Sequence, residues 1–160
     1  MGPPAVSTSF ERVPRRAQTC MVPKPQQLDP GLVVVDATWG TIQPIAVAPG
    51  VETVGELELI EHLRAGRQLI DTRESRFVEQ GTIPGAIAIP HTEIAEHLGE
   101  LDPYKPIVLF CNGPQCRATP DAVRRLLAAG RPPALMLYYR GGMHDWISLG
   151  LPVEARGRGG

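Results

Sequence analysis

The sequence predicts a three-layer α/β domain, with a central, mostly parallel sheet flanked by helices. Two observations carry this expectation. Between about residues 51 and 153, short apolar runs alternate with segments of helical periodicity, the pattern of strands joined by crossover helices. One run, Pro106-Ile107-Val108-Leu109-Phe110, is followed at once by Cys111. A buried strand that ends on a chemically capable residue is where sheets of this kind place their sites.

In chain order, residues 1–30 are rich in Pro, Ser, Gln and Arg with little periodicity, and read as a flexible or surface-wrapped arm. Residues 31–50 contain Leu32-Val33-Val34-Val35 and Ile45-Ala46-Val47, two short extended segments that Pro44 and Pro49 confine to edges. Together, residues 1–50 form a Pro-rich arm preceding the body at 51–153, and residues 154–160 form a Gly/Arg tail expected to be disordered. Within the body, Thr53-Val54-Gly55-Glu56 has capping-box spacing and Leu57, Leu59, Ile60 and Leu63 give a helix its apolar side. Gln68–Asp71 is a strand, Ile83-Pro84-Gly85 a turn and Ala86–Ile89 another strand. A short helix around Ile94, Ala95 and Leu98 leads to the strand that ends before Cys111. The next helix is expected to start at Thr119 as cap, with Pro120 at its first position and Asp121 against the positive end of its dipole. Ala122, Val123, Leu126 and Leu127 recur at helical spacing, Gly130 stops the helix, and Ala134–Tyr138 is a further strand.

Composition narrows the function classes. The 160 residues carry a net charge of −1, which gives no electrostatic reason to bind nucleic acid or an anionic membrane. No segment approaches the length of an apolar membrane span, and the N-terminus lacks the layout of a secretory signal. Cys20, Cys111 and Cys116 form neither a disulfide framework nor a zinc pattern, and His62, His91, His97 and His144 are scattered. The expectation is a soluble protein of a reducing, cytoplasmic compartment with no metal.

The loop Cys111-Asn112-Gly113-Pro114-Gln115-Cys116-Arg117 carries the chemistry. Gly113 lets the backbone curl, so that loop amides and the following helix N-terminus converge on one point. A thiol there loses its proton more easily, and Arg117 is the expected cationic neighbour. The predicted result is a nucleophilic, partly exposed Cys111 thiolate in a cradle formed by residues 112–117. The competing reading treats Cys111 as a small apolar core side chain.

Three segments in order make the chain resemble the rhodanese family across most of residues 51–153. Asp71-Thr72-Arg73, followed by Gly81-Thr82-Ile83-Pro84-Gly85-Ala86, resembles the first signature of that family, with Thr82 where His is usual. The cysteine loop lies in the middle. Arg140-Gly141-Gly142-Met143-His144-Asp145-Trp146, ending in Gly150-Leu151-Pro152, resembles the C-terminal signature. The resemblance implies that Cys111 takes a sulfane sulfur as a persulfide and passes it on. Its donor would be thiosulfate or another sulfane-sulfur carrier, and its acceptor cyanide, a thiol or a protein. No organic cofactor or metal is implied.

One departure keeps alternatives open. Five residues separate Cys111 from Arg117, where single-domain sulfurtransferases of this family mostly have four. A Cys-x5-Arg loop also occurs in related cell-cycle phosphatases and in arsenate reductases, so oxyanion chemistry is the runner-up. Against it, residues 112–117 contain no carboxylate to protonate a leaving group, and Pro114 removes an amide. A catalytically idle binding module is the third reading. Cys116 is either a resolving thiol, able to attack a persulfide or sulfenate on Cys111, or a residue packed into the core. Asp71 and Arg73 should border the pocket or tie loops together, and Arg140 should tie loops. Phe77 and Trp146 read as core anchors, only one of Tyr138 and Tyr139 is expected to face inward, and Trp39 is a candidate to cover the pocket.

Overall fold

The structure is a computed structural model that describes residues 25–35 and 40–156. Cys20 and Trp39, and with it the idea that Trp39 covers the pocket, lie outside the described residues. The strands are β1 (Pro25–Asp29), β2 (Leu32–Val35), β3 (Glu52–Thr53), β4 (Leu69–Asp71), β5 (Ile87–Ala88), β6 (Ile107–Phe110) and β7 (Met136–Tyr139). The helices are α1 (Glu56–Arg64), α2 (Ser75–Val78), α3 (Ala118–Ala128) and α4 (Gly142–Ser148), with 3₁₀ turns at Ile94–Glu96, Leu98–Glu100 and Pro133–Leu135. Strands β1 and β2 form an antiparallel hairpin of their own.

Strands β3 to β7 form one parallel sheet in the order β3-β7-β6-β4-β5. All four residues of the central strand β6 are buried, as a strand with both faces covered requires. Its side chains alternate between two cores. Ile107 and Leu109 join Ile70, Met136, Tyr138 and the α3 residues Ala122, Val123 and Leu126 on one face. Val108 and Phe110 join Leu69, Tyr139, the α1 residue Leu59 and the α4 residues Met143 and Trp146 on the other. Each large side chain so buried contributes about 1.5–3 kcal/mol. Because both faces are covered, Tyr138 and Tyr139 are both buried, one in each core, rather than only one of them. Trp146 is edge-on to Tyr139, with ring centroids 6.4 Å apart, and its indole N–H donates to the Pro152 carbonyl at 2.7 Å.

Several element boundaries differ from the expectations, each for a local reason. Thr53 lies in β3 and donates its hydroxyl to the Ile45 carbonyl, so Gly55 becomes the α1 cap and Glu58 reaches back to the Gly55 amide at 3.2 Å. The segment near Ile94 is two 3₁₀ turns instead of a helix. Residues Ile45–Val47 bend rather than extend. Val47 and Ala48 instead pack against the α3-side core, so residues 40–50 line the body. Residues 154 and 156 of the expected tail are held to the body, because Glu154 pairs with Thr82 and the Arg156 guanidinium donates to the Ala86 carbonyl, and residues 157–160 lie outside the described residues.

Candidate functional site

Cys111 follows β6 directly, between the C-terminal ends of β4 and β7. Two helix starts meet there. Helix α4 spends its first amides on the loop backbone: Met143 N–H donates to the Cys111 carbonyl at 3.0 Å and His144 N–H to the Asn112 carbonyl at 2.9 Å. This close approach needs Gly142, whose φ is +57° and where an added Cβ would lie 2.4 Å from the Cys111 carbonyl oxygen. Helix α3 faces the sulfur itself. It begins at Ala118 with Arg117 at its cap, two residues earlier than the Thr119 start expected. Pro120 still fits, because the first turn of a helix has no intrahelical use for its amides. Thr119 is thereby released from capping. Its hydroxyl shares a hydrogen bond with the Thr72 hydroxyl at 2.8 Å, and both its hydroxyl and its amide reach Cys111.

The Cys111 thiol is 1% exposed, not partly exposed as the sequence suggested. Burial pushes its pKa up, but hydrogen bonds from the Cys116 side chain, the Thr119 hydroxyl and amide and the Gly113 amide outweigh this and leave it below the ordinary thiol value. Arg117 is not among these partners. It is exposed at the α3 cap and lines the clefts outside.

The remaining loop residues are held on the outer side. Pro114 accepts from the Gln43 amide at 2.7 Å, and the Gln115 side chain accepts from the Gly40 amide at 3.2 Å. A Cβ at Gly40 would fall 2.1 Å from the Gln115 carbonyl oxygen, so residue 40 has to be small. Arg140 ties this strap to the sheet, its guanidinium donating to the Gln43 carbonyl at 2.7 and 3.1 Å. Cys116 is 2% exposed and its amide closes a turn onto the Gly113 carbonyl at 3.0 Å.

Asp71 and Arg73 form a buried pair behind the loop. Asp71 accepts from the Arg73 amide, Nε and guanidinium nitrogen and from the Thr82 hydroxyl, at 2.7–3.2 Å. Arg73 also donates to the Gly81 carbonyl at 2.6 Å and to the Asn112 side-chain oxygen at 3.2 Å. That last bond orients the Asn112 amide, so its Nδ2 faces away from the guanidinium. Among the described residues, Asn112 Nδ2 and the Tyr138 hydroxyl are buried without a hydrogen-bond partner. Burial and the charge of Cys111 hold the Tyr138 phenol above its ordinary pKa, so it remains a donor.

A cleft of about 230 Å³ opens beside the loop, lined by Arg73, Phe77, His91, Asn112, Cys116 and Arg117. A second cleft, of about 700 Å³, runs between the strap and α3, and His91 and Arg117 line it too. His91 bonds Asp121 at 2.7 Å, and Asp121 also engages Arg125 at 2.8 Å and Arg124. Three members of this site are not legible as such in the sequence: Thr119 reads only as a helix cap, Tyr138 only as a strand residue, and His91 only as one of four scattered histidines. His91 stands 30 residues from its partner Asp121, and no spacing signal links them.

Residues 56–149 match the family described as Rhodanese-like domain. Among curated proteins, the HTH-type transcriptional regulator Rv0324 of Mycobacterium tuberculosis is 38% identical over 104 residues, 64% of this chain and 45% of the regulator. The chain therefore spans less than half the length of that relative. Among solved structures, a thiosulfate sulfurtransferase from Pseudomonas aeruginosa is 26% identical with a TM-score of 0.58, over 68% of this chain and 21% of that one. The rhodanese-like domain of an Anabaena protein is 24% identical with a TM-score of 0.55, over 65% of this chain and 79% of that one, and shows the shared fold.

Proposed function

The chain belongs to the rhodanese-like domain family, and on that premise we propose that it is a sulfurtransferase working through a Cys111 persulfide. The observation that carries the reading is the set of donors turned on one buried sulfur: the Thr119 hydroxyl and amide, the Gly113 amide and the Cys116 thiol. A thiolate stabilised in this way attacks the outer sulfur of thiosulfate or of another sulfane-sulfur carrier and keeps that sulfur as a persulfide. Asn112 Nδ2 and the Tyr138 hydroxyl, both buried and uncommitted, are spare donors for the incoming sulfur or the departing anion. The acceptor, a thiol, cyanide or a protein, then removes the sulfur in a second displacement.

The runner-up, phosphatase or arsenate reductase chemistry, finds less support. It needs a cation over the oxyanion and an acid for the leaving group. Arg117 is exposed outside the cradle, and the Asp121 carboxylate is engaged by His91, Arg124 and Arg125. The third reading, a module that binds or senses without turnover, draws on the likeness to a transcriptional regulator. The deciding assay is thiocyanate formation from thiosulfate and cyanide. Parallel-line, ping-pong kinetics are expected for the wild type, and a loss of at least about a thousandfold for Cys111→Ser. A wild type no faster than Cys111→Ser, with cyanide and with thiol acceptors, would favour the sensing module.

A further inference from the structure

We propose that Cys116 is a second sulfur centre of the site, which resolves the Cys111 persulfide by forming the Cys111–Cys116 disulfide and expelling the outer sulfur as sulfide. The inference rests on the sulfurtransferase reading above and adds an activity to it: reductive release of sulfide without an external acceptor of sulfane sulfur.

The arrangement of the two cysteines carries it. They are five positions apart, yet the turn closed by Cys116 N–H on the Gly113 carbonyl folds the second back onto the first. The Cys116 side chain is hydrogen-bonded to the Cys111 sulfur, and the Cys111 sulfur lies 3.7 Å from the Cys116 carbonyl oxygen. Both side chains are buried, and with Ala118 they form a small cluster apart from the two main cores. Packing of the sheet therefore does not account for a cysteine at position 116. Cys116 also lines the 230 Å³ cleft, which Cys111 does not, so the pair has a face from which it can be approached.

The chemistry balances without an added oxidant. The Cys116 thiolate attacks the Cys111 sulfur of the persulfide Cys111–S–SH, a new sulfur–sulfur bond forms, and the bond to the outer sulfur breaks. The bonding pair leaves with that outer sulfur, which takes the proton given up by Cys116 and departs as hydrogen sulfide. Two thiols are oxidised to one disulfide while one sulfane sulfur is reduced to sulfide. A dithiol reductant, reaching Cys116 through the cleft, reopens the disulfide by thiol–disulfide exchange. The uncommitted Tyr138 hydroxyl, which feels the charge of both Cys111 and Cys116, is the donor available to the sulfur that leaves.

The test is a single turnover in a Cys20→Ser background, which removes the third cysteine. Wild type and Cys116→Ser, whose hydroxyl keeps a donor beside Cys111 but cannot form a disulfide, are loaded at that background with thiosulfate or with an organic persulfide, and the donor is removed. Released sulfide and intact mass are then followed with no thiol present. The expected result is stoichiometric sulfide from the wild-type loop, its mass settling about 2 Da below the reduced protein, while Cys116→Ser keeps an adduct of about 32 Da until a thiol is added. Peptide mapping of the wild type should locate the bridge between Cys111 and Cys116, a readout independent of how the variant folds. Equal persistence of the adduct in wild type and Cys116→Ser, with no mapped bridge, overturns the resolving role and leaves sulfur transfer standing. No adduct on Cys116→Ser and no sulfide from the wild type, with either donor, overturns both.

Discussion

Asn112 takes part in two buried polar clusters that are built differently. Toward β4 its side-chain oxygen completes the Asp71–Arg73 pair, in which the carboxylate and the guanidinium spend their bonds on each other, on Thr82, on Gly81 and on Asn112. On the Cys111 side, its Nδ2 and the Tyr138 hydroxyl, which feels the charge of Cys111, are buried with no hydrogen-bond partner among the described residues, and the Cys111 sulfur sits below its ordinary pKa. A closed buried network stabilises a fold. Buried donors left open cost stability, on the order of 1–3 kcal/mol each, and persist where something other than stability retains them. The first cluster holds the loops in register, and the second is the one that the proposed sulfur transfer would use.

Substitutions on the two sides should therefore separate stability from activity. The largest effect is expected from Asp71→Ala, which leaves the Arg73 charge buried and unpaired and should cost about 3–5 kcal/mol, seen as a melting temperature lower by about 10 °C or more. A drop of only a degree or two would mean that the pair is not the structural anchor described. Asn112→Ala crosses the boundary. It should lose about 1 kcal/mol of stability with the Arg73 contact, but about a hundredfold in sulfur transfer with its free amide donor. Equal, small losses in both would assign Asn112 to the structural cluster alone.

Tyr138→Phe should behave in the opposite sense to Asp71→Ala. Removing an unpaired buried hydroxyl is expected to leave stability unchanged or slightly higher, while transfer slows by roughly fivefold, the worth of one neutral hydrogen bond. Marked destabilisation would show that the hydroxyl already has a structural partner. The smallest effect concerns pH. Because the folded pKa of Cys111 is depressed, the folded state binds fewer protons than the unfolded state between the two pKa values, so stability rises with pH across that window and is lost as pH falls through the folded pKa. The alkylation midpoint of Cys111 by iodoacetamide should accordingly lie below about 8.5, the value of a free thiol. A midpoint above it would mean that burial, not the donor set, dominates.

Much of this frame was legible before the structure. The all-apolar β6 run, the cysteine after it and the apolar spacing of α3 depend on neighbours in sequence, and local periodicity reports them well. The expected α3 start lies two residues late because Thr119, Pro120 and Asp121 suit the first turn of a helix as well as its cap, and the Thr119 hydroxyl is instead bonded to Thr72, 47 residues away. The same holds for the His91–Asp121 pair and for the strap at Gly40–Ala48. Each depends on which segments the parallel sheet brings together, information that no local pattern contains. Arg117 was drawn toward the thiol by sequence proximity alone, whereas the α3 N-terminus carries it outward.

The central claim is that the donor-lined Cys111 sulfur accepts one sulfane sulfur. Intact-protein mass after incubation with thiosulfate in a Cys20→Ser, Cys116→Ser background tests it most directly, because no second thiol remains to discharge the product and the serine hydroxyl keeps a donor at position 116. The account predicts a gain of about 32 Da that cyanide removes with an equivalent of thiocyanate, and no gain when Cys111 is also replaced by serine. An unchanged mass with thiosulfate and with an organic persulfide would contradict it.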